Sequence, residues 1–129
     1  MINRQLTKSM PDKTNTMAQT IMIFVTASTI DEARKIGQIL VEESLVACCN
    51  IVQAVESIFK WQGKLHVERE ALMICKTREE LFNVVEKRVK ELHSYEVPEI
   101  IALPITRGSK HYLDWVAKET EPGKQTHPK

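Results

Sequence analysis

Cysteine is scarce in this chain: three among 129 residues, Cys48, Cys49 and Cys75. An odd count with an adjacent pair argues against a disulfide framework, and no CxxC or HxxxH spacing offers a structural zinc site. The three read as reduced thiols of a cytoplasmic protein, packed chiefly as small apolar side chains. Long apolar runs are missing too. None approaches the roughly 20 residues that cross a bilayer, and the first residues lack the apolar core of a secretory signal. Nor does one sign of charge dominate. Eighteen Lys and Arg face 17 Asp and Glu, for a formal net charge of +1, and the two signs interleave. That argues against nucleic acid and against a membrane surface as partners. Phosphate loops, nucleophile-elbow glycines and zinc-protease motifs are likewise missing, so the sequence predicts no enzyme.

What remains is an ordinary globular composition, 43% apolar and 27% charged, at a length suited to one core. Residues 1–20 are polar and aperiodic and read as a disordered N-terminal extension. The folded domain is expected over 21–118, with 119–129 as a flexible C-terminal tail.

Within that domain "IMIFVTA" reads as a buried strand. "STIDEARKIGQILVEESL" reads as an amphipathic helix, with Thr29 and Glu32 as a capping box and Ala33, Ile36, Gly37, Leu40 and Val41 on its apolar stripe. The next 30 residues divide at Gln62-Gly63, a two-residue hairpin turn. That register sets Glu56 against Arg69 and Ile58 against Val67, with a bulge expected near Gln53. Each arm has about a dozen residues against the typical five or six, so the hairpin should overhang and need a partner. "TREELFNVVEKRVKELH" is the second helix, with Thr77 and Glu80 as a second candidate capping box. "EIIALPIT" is a strand placed at an edge or bulged by Pro104, and a short helix follows from Ser109. The order β-α-β-β-α-β plus a helix predicts an α+β, ferredoxin-like sandwich.

Candidate chemistry centres on "HSYEVPEI", residues 93–100. Pro98 bars α geometry at Val97, so this is a turn from helix into strand. His93 is placed to cap the helix C-terminus, where the dipole favours a cation. His93, Tyr95, Glu96, Glu99 and Lys76 form a candidate recognition cleft. Cys48 and Cys49 open a strand and should point to opposite faces. Their soft sulfurs suit copper(I), but only with ligands from other strands or chains. Trp61 at the hairpin tip and Trp115 on the last helix are candidate interface residues.

"LVACCNIV", "WQGKL", "MICKT", "HSYEVPEIIALPIT" and "YLDW", in that order, resemble the CutA divalent-cation-tolerance family over about Ile21 to Ala117. The resemblance implies a cytoplasmic homotrimer of ferredoxin-like subunits whose long hairpins pair across subunits. It implies a role in tolerance of copper and other divalent metals, with no cofactor required. His93 and Cys48 are the metal-ligand candidates it suggests. The proposed copper pattern also has a first-strand cysteine and a second histidine, where this chain has Val25 and Leu92. Ser94 replaces a proline. The similar trimer of P-II signalling proteins suggests the alternative, a regulator binding a small molecule in intersubunit clefts.

Overall fold

The computed structural model describes residues 19–126. The expectation of an N-terminal extension over 1–20 falls largely outside them. Strand β1, Thr20–Ala27, leads into helix α1, Ile30–Glu42. Strands β2, Cys48–Trp61, and β3, Lys64–Arg78, form the long hairpin. A 3-10 turn at Glu79–Leu81 opens helix α2, Phe82–Leu92, and strand β4, Ile100–Pro104, precedes helix α3, Lys110–Glu119. The four strands make one antiparallel sheet in the order β2-β3-β1-β4. This is the ferredoxin-like arrangement expected from the element order, with α3 added at the end.

Strand alternation divides the sheet's two faces. Ile21, Ile23, Val25 and Ala27 of β1, with Ala71, Met73 and Cys75 of β3, pack against Ala33, Ile36 and Leu40 of α1 and Val85 and Val89 of α2. The opposite face is covered at one end by α3. There Tyr112 meets Cys48, and Arg78 donates to the Ala117 carbonyl at 2.6 Å. A bidentate pair from Arg88 on α2 to Glu43, 2.9 and 2.8 Å, ties the two core-face helices together. Pro104 ends the edge strand, where a missing amide costs no ladder bond.

The first helix start forms half of the expected box: Thr29 Oγ1 accepts from the Glu32 amide at 3.1 Å, while the Glu32 carboxylate accepts from Ser28 and not from the Thr29 amide. The second box does not form. Thr77 lies inside β3, opposite Ile21, and its hydroxyl donates to the Leu45 carbonyl at 2.7 Å in the buried interior. Strand pairing claims the backbone through Arg78, so α2 starts without a side-chain cap. Ser109 occupies the cap position of α3 but makes no capping bond. The stretch expected as a tail from 119 is hydrogen-bonded as far as Thr126. Gln125 donates to the Ser44 carbonyl at 2.9 Å and the Thr126 amide to the Glu43 carbonyl at 3.2 Å.

The hairpin turn has positive φ at both Gln62 and Gly63, 51° and 80°, as a type I′ turn requires. Glu56 pairs with Arg69 and Ile58 with Val67, and the register shifts between Val52 and Val55. β1 pairs with β3 only up to Ala27–Ala71. The pairs from Val55–Glu70 to Trp61–Lys64 therefore project past the sheet, about 20 Å of two-stranded ribbon at about 3.4 Å per residue.

Candidate functional site

A cleft of about 770 Å³ opens between the projecting hairpin and the 93–99 turn. Its floor is the end of β1 at Thr26. One wall is a single hairpin face, Phe59, Trp61, His66, Glu68 and Glu70 among it; the other is Tyr95, Glu96, Val97 and Glu99. Phe59 and His66 stack with ring centroids 5.3 Å apart. Four carboxylates and one imidazole line this space, so its field favours a cation or a cationic group.

His93 builds the turn wall instead of facing the cleft. Its side chain is fully buried. Nε2 lies 2.7 Å from the Thr26 carbonyl, and Nδ1 accepts the Tyr95 amide at 3.0 Å. Both ring nitrogens of His93, the expected metal-ligand candidate, are thus engaged within the chain. The expectation that its ring caps α2 is corrected: the ring crosses to β1, and only its backbone amide bonds Val89. Its removal in chelated buffer tests the positioning role. His93→Ala is expected to destabilise the fold by about 3 kcal/mol, from two lost hydrogen bonds and a cavity. Denaturant unfolding of a residue that served only as a metal ligand would be nearly unmoved.

Glu32 pins the same turn from the start of α1. Its Oε2 accepts the Ser94 amide at 2.7 Å, and its Oε1 accepts the Ser28 amide and hydroxyl at 3.1 and 2.8 Å. Burial opposes its ionisation, but the hydrogen bonds from Ser28 and Ser94 outweigh burial and bring its pKa down to about 2. Tyr95 then reaches across to β3, its hydroxyl donating to Glu70 Oε2 at 2.6 Å. Burial, that bond and the negative field of Glu70, Glu32 and Glu68 raise the Tyr95 phenol, so it stays protonated.

Of the expected cleft residues, Tyr95, Glu96 and Glu99 line the space. Lys76 does not. It lies six residues along β3 from Glu70, about 20 Å away, with its ammonium on Asn50 Oδ1. Sequence reading missed His66, Glu68, Glu70 and Thr26. The first three alternate along β3, so strand periodicity in the correctly registered hairpin already placed them on one face.

Cys48 and Cys49 do diverge. Cys48 Sγ lies 3.3 Å from the Tyr112 hydroxyl, whose pKa is pushed up to about 12 by that bond and by burial. Cys49 turns to the core face and interacts with the Cys75 thiol, which holds Cys49 below the ordinary thiol range and, with burial, pushes Cys75 well above it. Among the described residues no three or more His, Cys, Asp and Glu side chains converge as a metal site. Trp61 and Trp115 are half and two-fifths exposed on this chain.

The fold and cleft define a ferredoxin-like domain with an overlong hairpin bordering an acidic recess. The family described as CutA1 divalent ion tolerance protein matches residues 21–119. The divalent-cation tolerance protein CutA of Thermus thermophilus is 44% identical over 99 residues, 77% of this chain and 96% of that protein. Chloroplastic CutA 1 of Oryza sativa is 38% identical over 109 residues, 84% of this chain but 62% of the relative's length. The crystal structure of CutA1 from Oryza sativa aligns with a TM-score of 0.80 at 37% identity, over 83% of this chain and 98% of that one. The chain belongs to the CutA divalent-ion tolerance family.

Among the described residues no helix is long and apolar enough to cross a membrane.

Proposed function

We propose that this protein acts as a cytoplasmic homotrimer in tolerance of divalent metal ions, copper among them, without a catalytic step of its own. The observation that carries the reading is the acidic cleft between the hairpin and the 93–99 turn, in a chain of the divalent-ion tolerance family. The hairpin projects with Ile58, Leu65 and Val67 largely exposed, and a second copy laid along it covers them. Ion contact then forms between subunits, where cleft carboxylates meet groups from the neighbouring copy. The relatives' names point to divalent cations and give no support to a small-molecule regulator of the P-II kind.

Cells lacking this protein are expected to stop growing at lower copper concentration than cells carrying it. The wild-type chain restores growth, and the Glu68→Gln, Glu99→Gln chain does not. Equal copper sensitivity with and without the protein would contradict the metal-tolerance reading.

A further inference from the structure

Cys49 and Cys75 are direct partners across β2 and β3. The Lys76 carbonyl accepts the Ala47 amide at 2.8 Å, so the polar backbone groups of Lys76 point toward β2. Alternation turns those of Cys75 away from it. The Cys49–Cys75 pair is therefore a non-hydrogen-bonded one, the kind whose side chains approach most closely, with Cα atoms about 4.5 Å apart. Both side chains turn to the core face. Cys49 Sγ sits under α1 at Gly37, 3.1 Å from where a β-carbon would stand. Any larger residue there would close this space. The Met73 methyl reaches the same point, at 3.8 Å, and Met73 shares the core face two residues before Cys75. Cys49 Sγ and the Met73 methyl thus both lie beneath Gly37, with Cys75 across the ladder from Cys49. The neighbourhood is not sealed: a groove of about 560 Å³ between α1 and β2, lined by Arg34, Gly37, Gln38 and Ile51, reaches Cys49.

We propose that Cys49 and Cys75, two residues along the core face from Met73, form a site for a soft monovalent cation of the copper(I) class. Thiolates and thioethers select soft ions, and copper(I) is satisfied by two or three such ligands. Zinc takes four; Glu42 is a carboxylate of the groove lining, but among the described residues no three or more His, Cys, Asp and Glu side chains converge here. The ion enters by the groove and meets the half-buried Cys49 first. Cys75, fully buried behind it, closes the pair. Both thiols ionise on binding, two S–Cu bonds form and two protons leave to solvent, with no change in oxidation state. The site lies on the core face at the sheet end away from the acidic cleft, so its failure leaves the cleft proposal standing.

The test is an anaerobic titration of the full, reduced chain with copper(I), competed by a chromophoric copper(I) chelator. The wild type and Cys48→Ser are expected to hold one ion per chain and to release two protons per ion. X-ray absorption should show sulfur ligands only. Cys49→Val and Cys75→Ser are expected to lose affinity by more than about 100-fold, beyond the 10–100-fold that outer-shell changes cost. Thermal melting in metal-free buffer checks each fold, and Cys49→Val keeps an apolar group in the space if Cys75→Ser unfolds. Equal affinity in wild type and Cys49→Val, loss of binding in Cys48→Ser, or nitrogen or oxygen ligands around the ion would each overturn the proposal.

Discussion

Glu32→Gln is expected to lose about 2–3 kcal/mol of stability at neutral pH, and to lose with it a large part of the chain's acid sensitivity. The carboxylate is depressed from 4.5 to about 2 by Ser28 and Ser94, and a shift of that size corresponds to about 3 kcal/mol at most. Its side chain is 14% exposed, so solvent screens this little. The sign follows from the direction of the shift. A carboxyl depressed in the folded state contributes fully above its unfolded pKa of 4.5, and the contribution fades as pH falls from there toward 2. Wild type and variant should therefore differ most above about pH 5 and converge near pH 2. Other carboxylates titrate in both proteins, so the difference between two denaturant series isolates Glu32. A constant gap across that range would mean that the Gln side chain perturbs packing and that the hydrogen-bonded charge contributes nothing.

Ile58→Asp together with Trp61→Asp is expected to dissociate the proposed trimer and leave each chain folded. Both side chains are at least half exposed on a single chain. Exposed positions of this kind ordinarily tolerate substitution within about 0.5 kcal/mol. If neighbouring copies cover them, each contributes about 1.5–3 kcal/mol of apolar burial, and an aspartate also brings an unpaired charge into the contact. The two positions do not oppose each other across the ribbon, so the new charges do not repel within the hairpin. Sedimentation should show smaller particles than wild type, with far-ultraviolet circular dichroism unchanged. Unaltered mass would mean that the hairpin tip is free in solution.

Local chemistry made much of this fold legible. The Thr29 cap on the Glu32 amide, the Gln62-Gly63 turn and the Glu56–Arg69 register each depend on neighbours a few residues apart, and each formed. Thr77 and Glu80 carried the same capping pattern as Thr29 and Glu32, but long-range pairing with β1 took Thr77 into the strand. Tertiary context decided there against a local motif. His93 illustrates the opposite limit. Its sequence neighbours suggest a helix cap or a ligand, whereas its partner is the Thr26 carbonyl, 67 residues away. The cysteine pair turned on one residue. Carried without interruption, the Glu56–Arg69 register sets Cys49 opposite Lys76; the bulge after Val52 moves it to Cys75. Sequence reading anticipated a bulge near Gln53, yet only the formed ladder shows which pairing results.

Ion contact between subunits at the acidic cleft requires the long hairpin to be shared between copies of the chain. An isolated two-stranded ribbon with exposed apolar groups is marginal in water. Light scattering or sedimentation equilibrium at low protein concentration measures this directly. A stable mass three times the 14.8 kDa of one chain is expected. A mass of one chain, with the fold intact, would contradict it.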